Sequence, residues 1–234
     1  MFDAVIQNGL VVDGTRARPY RASVYLKDGK IAEISEDAQK PAKTVYDAAG
    51  HVVAPGFIDI HSHSDVSYLA TPTMEAKLIG GVTFELVGQC GISPIPICDR
   101  NAEMTLRNQS SVVSLRLTPE NFPARDMAGY AEDVERNGIS INLGALIGHG
   151  SLRSYVIGWE LRQLTSDELT QMCNLLDRML EQGAAGVSFG LIYPPGSFCN
   201  TEEIAALARV VARHDKLLAV IDSSEKRSRR VIRK

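Results

Sequence analysis

The sequence predicts an α/β fold in which a small β module precedes the opening part of a (β/α)8 barrel. Three observations predict it. Short strand-like runs punctuated by Asn-Gly and Asp-Gly pairs lie before Pro55-Gly56; apolar strands alternate with amphipathic helical patterns after it; and histidines stand at the end of the first of those later strands. The expected boundaries are 1–54 for a module that forms part of a small sandwich, 55–221 for the first five strand–helix units, and 222–234 for a basic tail.

In the module, Phe2 to Gln7 is apolar-rich, Asn8-Gly9 reads as a turn, and Leu10 to Val12 resumes a strand that Asp13-Gly14 closes. Ser23 to Lys27 alternates, Asp28-Gly29 is a hairpin turn, and Lys30 to Ile34 returns. Val45 and Val52-Val53 look like further edges.

Beyond Pro55-Gly56 the expected strands are Phe57–Ile60, Val82–Val87, Ile139–Ile147, Gly186–Leu191 and Leu217–Ile221. The clearest helix runs from Ser166 to about Gln182: Thr165 and Glu168 make a capping box, and Leu169, Met172, Cys173, Leu176, Met179 and Leu180 recur at helical spacing. Gly183 sits where a terminating glycine belongs. A second helix follows Asn200, with Glu203 three residues on and Ile204, Leu207, Ala208 and Val211 on one face. Strand–helix repetition implies a parallel sheet. A doubly wound sheet shares the period, but no G-x-G-x-x-G follows a strand, and the site residues favour a barrel, whose strand ends carry chemistry.

Composition narrows the function classes. Hydrophobic residues make up 44%, enough for a sizeable core, and a formal net charge of −3 argues against a generic polyanion binder. Lys226, Arg227, Arg229, Arg230, Arg233 and Lys234 crowd the tail against Asp222 and Glu225, without aromatic interleaving or amphipathic period, so neither a nucleic-acid nor a membrane partner is expected. Cys90, Cys98, Cys173 and Cys199 are too widely spaced for a disulfide framework and suit a reducing cytosol. The start, MFDAVIQNG, lacks the basic region of a signal peptide, and no run of 18 apolar residues occurs, so a cytoplasmic location is expected.

The chemistry begins at His61-Ser62-His63. Alternate residues of an extended segment point the same way, so both imidazoles can grip one ion at the barrel mouth, and neutral imidazole is a good Zn²⁺ ligand. Cys90 ends the second barrel strand between glycines; a buried cysteine is by default a small hydrophobe, but a thiolate here can reach a metal beside His61 and His63. His149, in Gly148-His149-Gly150, lies just past the third strand and suits a supporting or loop-structuring role as well as a direct one. Asp65 and Asp59 are candidates to orient the histidines from behind.

The string Pro55-Gly56-Phe57-Ile58-Asp59-Ile60-His61-Ser62-His63 resembles the first-strand motif of the amidohydrolase superfamily, and the Asn8 to Gly14 run resembles that superfamily's N-terminal sandwich segment. The Gly88-Gln89-Cys90-Gly91-Ile92-Ser93-Pro94 run is similar, more narrowly, to the D-aminoacylase (N-acyl-D-amino-acid deacylase) group. That resemblance implies a zinc-dependent hydrolase that splits the amide of an N-acyl-D-amino acid into a carboxylate and a free D-amino acid. It implies Cys90 as a metal ligand with His61 and His63, in place of the carboxylated lysine that many binuclear relatives carry on the fourth strand; Gly186 to Leu191 has no lysine. It implies that Tyr193, in Gly190-Leu191-Ile192-Tyr193-Pro194-Pro195-Gly196, contacts the carboxylate side of the substrate.

The resemblance also locates what this chain lacks. Family members take further histidines from the fifth and sixth strands and a general-base aspartate from the eighth. Here the fifth strand runs out as Ile221-Asp222-Ser223-Ser224-Glu225, without the histidine, and later strands have no counterpart. The resemblance covers residues 1 to about 220, about half of a family member, so the chain is expected to be a truncated form that contains no catalytic general base. A shifted reading frame, a natural short form and an engineered fragment fit equally. Alternatives are a catalytically dead remnant and a cyclic-amide, hydantoinase-like hydrolase, the latter disfavoured by the lysine-free fourth strand. Five strands of eight leave two open sheet edges, which predicts self-association.

Overall fold

The computed structural model describes residues 1–36, 40–113, 115–221 and 230–232. It divides into two compact units, Met1–Gly56 and Phe57–Lys234.

The first unit is a sheet of β1 (Phe2–Val11), β2 (Tyr20–Lys27), β3 (Lys30–Ser35), β4 (Ala42–Asp47) and β5 (Val52–Val53). The hairpin at Asp28-Gly29 joins β2 to β3 as the sequence predicts. Asn8-Gly9, expected as a turn, is instead internal to the continuous β1. Asn8 adopts φ 64°, and the pairing with β2 shifts register between Ile6 and Gly9. A left-handed residue within a strand produces a bulge, not a reversal, when the partner strand continues alongside. Val11, Ala22 and Val24 form a small core there.

The second unit carries the barrel-like part: β6 (Phe57–Asp59), α1 (Glu75–Ile79), β7 (Val82–Val87), α2 (Ala102–Val113), α3 (Met127–Asn137), β8 (Asn142–Gly148), α4 (His149–Ile157), α5 (Ser166–Glu181), β9 (Gly186–Gly190), α6 (Thr201–Arg213), β10 (Leu217–Ile221) and β11 (Arg230–Ile232). Strands β6 to β10 are parallel neighbours in chain order and curl into half a barrel. Among the described residues the sheet's two edge strands are β6 and β11. β11 pairs antiparallel with β10, Leu218 opposite Ile232 and Val220 opposite Arg230, and so departs from the parallel run of β6 to β10. Residues 222–229 and 233–234, the rest of the basic stretch, lie outside the described residues.

Helix α5 forms where its cap predicts: Thr165 accepts from the Glu168 N–H, and Glu168 accepts from the Thr165 N–H. Its apolar stripe, Met172, Leu176, Met179 and Leu180, is buried against a core that also holds Val187 and Phe189 of β9 and Leu207, Val210 and Val211 of α6. Each such side chain stabilises the fold by about 1.5–3 kcal/mol relative to exposure. No helix among the described residues is long and apolar enough to cross a membrane.

Candidate metal centre

His61 and His63 follow β6, and Cys90 follows β7, its parallel neighbour. The Nε2 atoms of His63 and His61 lie 3.2 and 3.4 Å from the Cys90 Sγ. All three donor atoms fall within 4.8 Å of one another. Zinc bonds of about 2.0–2.3 Å at tetrahedral angles put neighbouring N and S donors about 3.5 Å apart. Two imidazoles and one thiol at this spacing fit a zinc ion. Burial pushes the His63 imidazole below its ordinary value, which favours the neutral, ligating form.

The backbone explains the convergence. Asp59 accepts from the His61 N–H at 3.1 Å and from Lys77 Nζ at 3.1 Å, fixing the start of the histidine segment. Lys77 also pairs with Glu85, fully buried on β7. Burial pushes the ammonium of Lys77 down, but Glu85 and Asp59 outweigh that and hold it above its ordinary value. Gln89 donates to the Ile60 carbonyl at 2.9 Å, tying the cysteine segment to the histidine segment.

Cys90 itself has φ 58°, a left-handed backbone rare for a residue with a side chain. Ser188 on β9 braces it from both sides, accepting from the Gly91 N–H at 3.0 Å and donating to the Gly88 carbonyl. Gly190 is bare for a steric reason: a Cβ there would stand 1.9 Å from the Cys90 carbonyl oxygen. The lysine-free fourth barrel strand thus does its work through a small hydroxyl and a glycine.

Asp65 is buried, and burial pushes its carboxyl up to about 7. Its carboxylate accepts from the Gly88 N–H at 2.8 Å, two residues before Cys90, so its described partner is backbone of the cysteine segment and not an imidazole. His149 opens α4, is fully buried, and bonds through Nε2 to Glu203 at 2.6 Å, apart from the three converging donors. Arg153 reaches the same carboxylate at 2.8 and 2.5 Å. Burial pushes the Glu203 carboxyl up, yet His149 and Arg153 outweigh it and hold the group below its ordinary value; burial likewise pushes the His149 imidazole down. The cluster is therefore a neutral imidazole and a buried guanidinium–carboxylate pair, locking α4 to α6. Tyr193 is 42% exposed and shares a cavity wall with Cys90.

The fold brings together His61, His63 and Cys90, which the sequence singled out; Ser188, Gln89, Lys77, Glu85, Arg153 and the second role of Glu203 it did not single out. Only the buried charges left a trace: an arginine at an otherwise apolar helix position, and a glutamate already explained as a helix-start residue.

A sequence model of the amidohydrolase family matches residues 44–218. The chain is 36% identical over 217 residues to an N-acyl-D-glutamate deacylase of Alcaligenes xylosoxydans xylosoxydans, covering 92% of this chain and 42% of that protein. It is 33% identical over 218 residues to a D-aminoacylase of the same organism, covering 93% of this chain and 44% of that one. Among solved structures it resembles an N-acyl-D-glutamate deacylase from Bordetella bronchiseptica, complexed with zinc and a phosphonate inhibitor, with a TM-score of 0.84 and 34% identity over 94% of this chain and 44% of that chain. The chain spans less than half the length of the relatives it matches.

Proposed function

Since this chain belongs to the amidohydrolase family, we propose that it carries the zinc-binding portion of a hydrolase that opens the linear amide of N-acyl-D-amino acids. The observation that carries the reading is the convergence of His61, His63 and Cys90 within 4.8 Å at the ends of two adjacent strands. When bound, zinc supplies Lewis-acid polarisation of a scissile carbonyl and acidification of water.

The chain's own residues hold and orient. His61 and His63 ligate as neutral imidazoles, Cys90 as a thiolate whose backbone is braced by Ser188, and Asp65 fixes the segment before the cysteine. Tyr193 is a neutral hydrogen-bond donor for the carboxylate side of the substrate. The general base is not assigned to any residue of this chain. Relatives named for N-acyl-D-glutamate and D-amino-acid deacylation support the linear-amide class over a cyclic amide.

Zinc content and affinity of the purified chain test the metal centre, with Cys90→Ala as the control. Release of free D-amino acid from N-acetyl-D-amino acids by the zinc-loaded chain tests turnover. Zinc binding without release supports a ligand-bearing but incomplete site; unchanged zinc affinity in Cys90→Ala removes the cysteine from it.

A further inference from the structure

Asp65 stands two residues past His63, and Gly88 two residues before Cys90. The Asp65 carboxylate accepts from the Gly88 N–H at 2.8 Å, so the two donor-bearing segments meet at this pair. Gly88 also lies close against β8. Its backbone turns at φ 73°, and a Cβ there would stand 2.0 Å from the Leu146 carbonyl oxygen.

The position of Asp65 is in turn set from α3. The Tyr130 hydroxyl donates to the Asp65 main-chain carbonyl, and both residues are buried. Three residues on, Asp133 accepts from the Tyr68 hydroxyl at 2.6 Å. The rings of Tyr68 and Tyr130 meet edge to face, with centroids 6.2 Å apart. Helix α3 therefore grips the chain beyond His63 twice. The first grip continues through the Asp65 carboxylate to the cysteine segment; the second stays between α3 and Tyr68. Metal sites tolerate errors of only about 0.2 Å in donor distance, so a small shift of residue 65 is enough to spoil the fit of His63 against Cys90.

We propose that Tyr130 and Asp65 are positioning residues: together they form a strut from α3 that sets the separation of the segments carrying His63 and Cys90, and with it the fit of the metal. The proposal rests on the metal centre described above and deepens it. Without the Tyr130 hydroxyl, the buried Asp65 carbonyl loses this donor and the segment moves to recover one.

The full chain carries the test. Tyr68→Phe is the control, because it removes a buried hydroxyl from the same helix contact without touching Asp65. Chelator competition should find zinc affinity lowered about tenfold in Tyr130→Phe and Asp65→Ala, and recovered in Asp65→Asn, whose amide oxygen still accepts from Gly88. With Co²⁺ in place of zinc, the thiolate-to-cobalt absorption should move in Tyr130→Phe and stay in place in Tyr68→Phe. Unmoved absorption and affinity in Tyr130→Phe, or equal effects of the two tyrosine substitutions, overturn the proposal. If Tyr130→Phe fails to fold, the Asp65 variants decide, and equal affinity in Asp65→Ala and Asp65→Asn overturns it. Hydrogen exchange of the metal-free chain reads the strut apart from the metal: amides around Gly88 should exchange about tenfold faster in Tyr130→Phe than in Tyr68→Phe or the unmutated chain. Absent cobalt–thiolate bands in the unmutated chain sink the metal reading, and exchange around Gly88 then decides the strut alone. Bands present with unchanged exchange sink the strut and leave the metal centre standing.

Discussion

His63 Nε2 lies 3.2 Å from Cys90 Sγ, across 27 residues of chain, because parallel β6 and β7 end side by side. Loss of the sulfur should weaken zinc binding by more than the 10–100-fold that removal of an outer hydrogen-bond partner costs. Competition titration against a chromophoric chelator would measure it for Cys90→Ala. Ligation needs a deprotonated thiol and neutral imidazoles, so apparent affinity should rise from about pH 5 to pH 8, with proton release on binding. A pH-independent affinity would contradict this ligand set.

Gly190→Ala should lower zinc affinity without removing any donor, because the added methyl would collide with the Cys90 carbonyl, 1.9 Å from the ideal Cβ position. Circular dichroism should report retained helix while the chelator titration reports the loss. An unchanged affinity would show that the strand can shift without carrying the sulfur with it.

Arg153 and Glu203 are both buried, and His149 shares the carboxylate. Removing one partner of a buried pair costs about 3–5 kcal/mol, so Arg153→Met should lower the urea midpoint markedly. The pH dependence has two limbs. His149 titrates lower in the folded chain than its ordinary value of 6.5, so the unfolded chain binds the extra proton; that contribution is complete above pH 6.5 and lost as pH falls below it. Glu203 titrates lower in the folded chain than its ordinary value of 4.5, so its contribution is complete above pH 4.5 and lost below. Urea midpoints across pH 3–8 should fall first on the histidine limb, and His149→Gln should flatten that limb alone.

β6 leaves one sheet edge unpaired among the described residues, with Phe57 68% and Ile58 65% exposed. Such an edge templates pairing with other chains. The chain should elute above its monomer mass in size-exclusion chromatography, and Ile58→Lys should shift it towards monomer. A sharp monomer peak for the unmutated chain would remove the edge as an association site.

Local patterns were the legible part. The capping box Thr165/Glu168 and the stripe from Met172 to Leu180 gave α5 nearly to the residue, and alternation in His61-Ser62-His63 put two imidazoles on one side. Features set by the partner strand or helix were not legible. Asn8-Gly9 has the composition of a turn, and only the continuing β2 makes it a bulge. Glu203 is a helix-start residue in sequence; that its carboxylate also meets Arg153 and His149 depends on α4 packing against it. β11 escaped because it is only Arg230-Val231-Ile232, an apolar pair too short to show a strand period beside the basic residues around it.

The left-handed backbone at Cys90 makes any exchange of donor there a conformational question before it is a coordination question. Valine or isoleucine would be refused on shape alone, while asparagine and aspartate visit this region readily. Aspartate would keep the geometry and replace a soft sulfur by a hard oxygen, so Cys90→Asp should tilt the site away from thiophilic ions and towards Mn²⁺. Metal preference at this mouth is thus open to revision by one codon, but only along the narrow path the main chain permits.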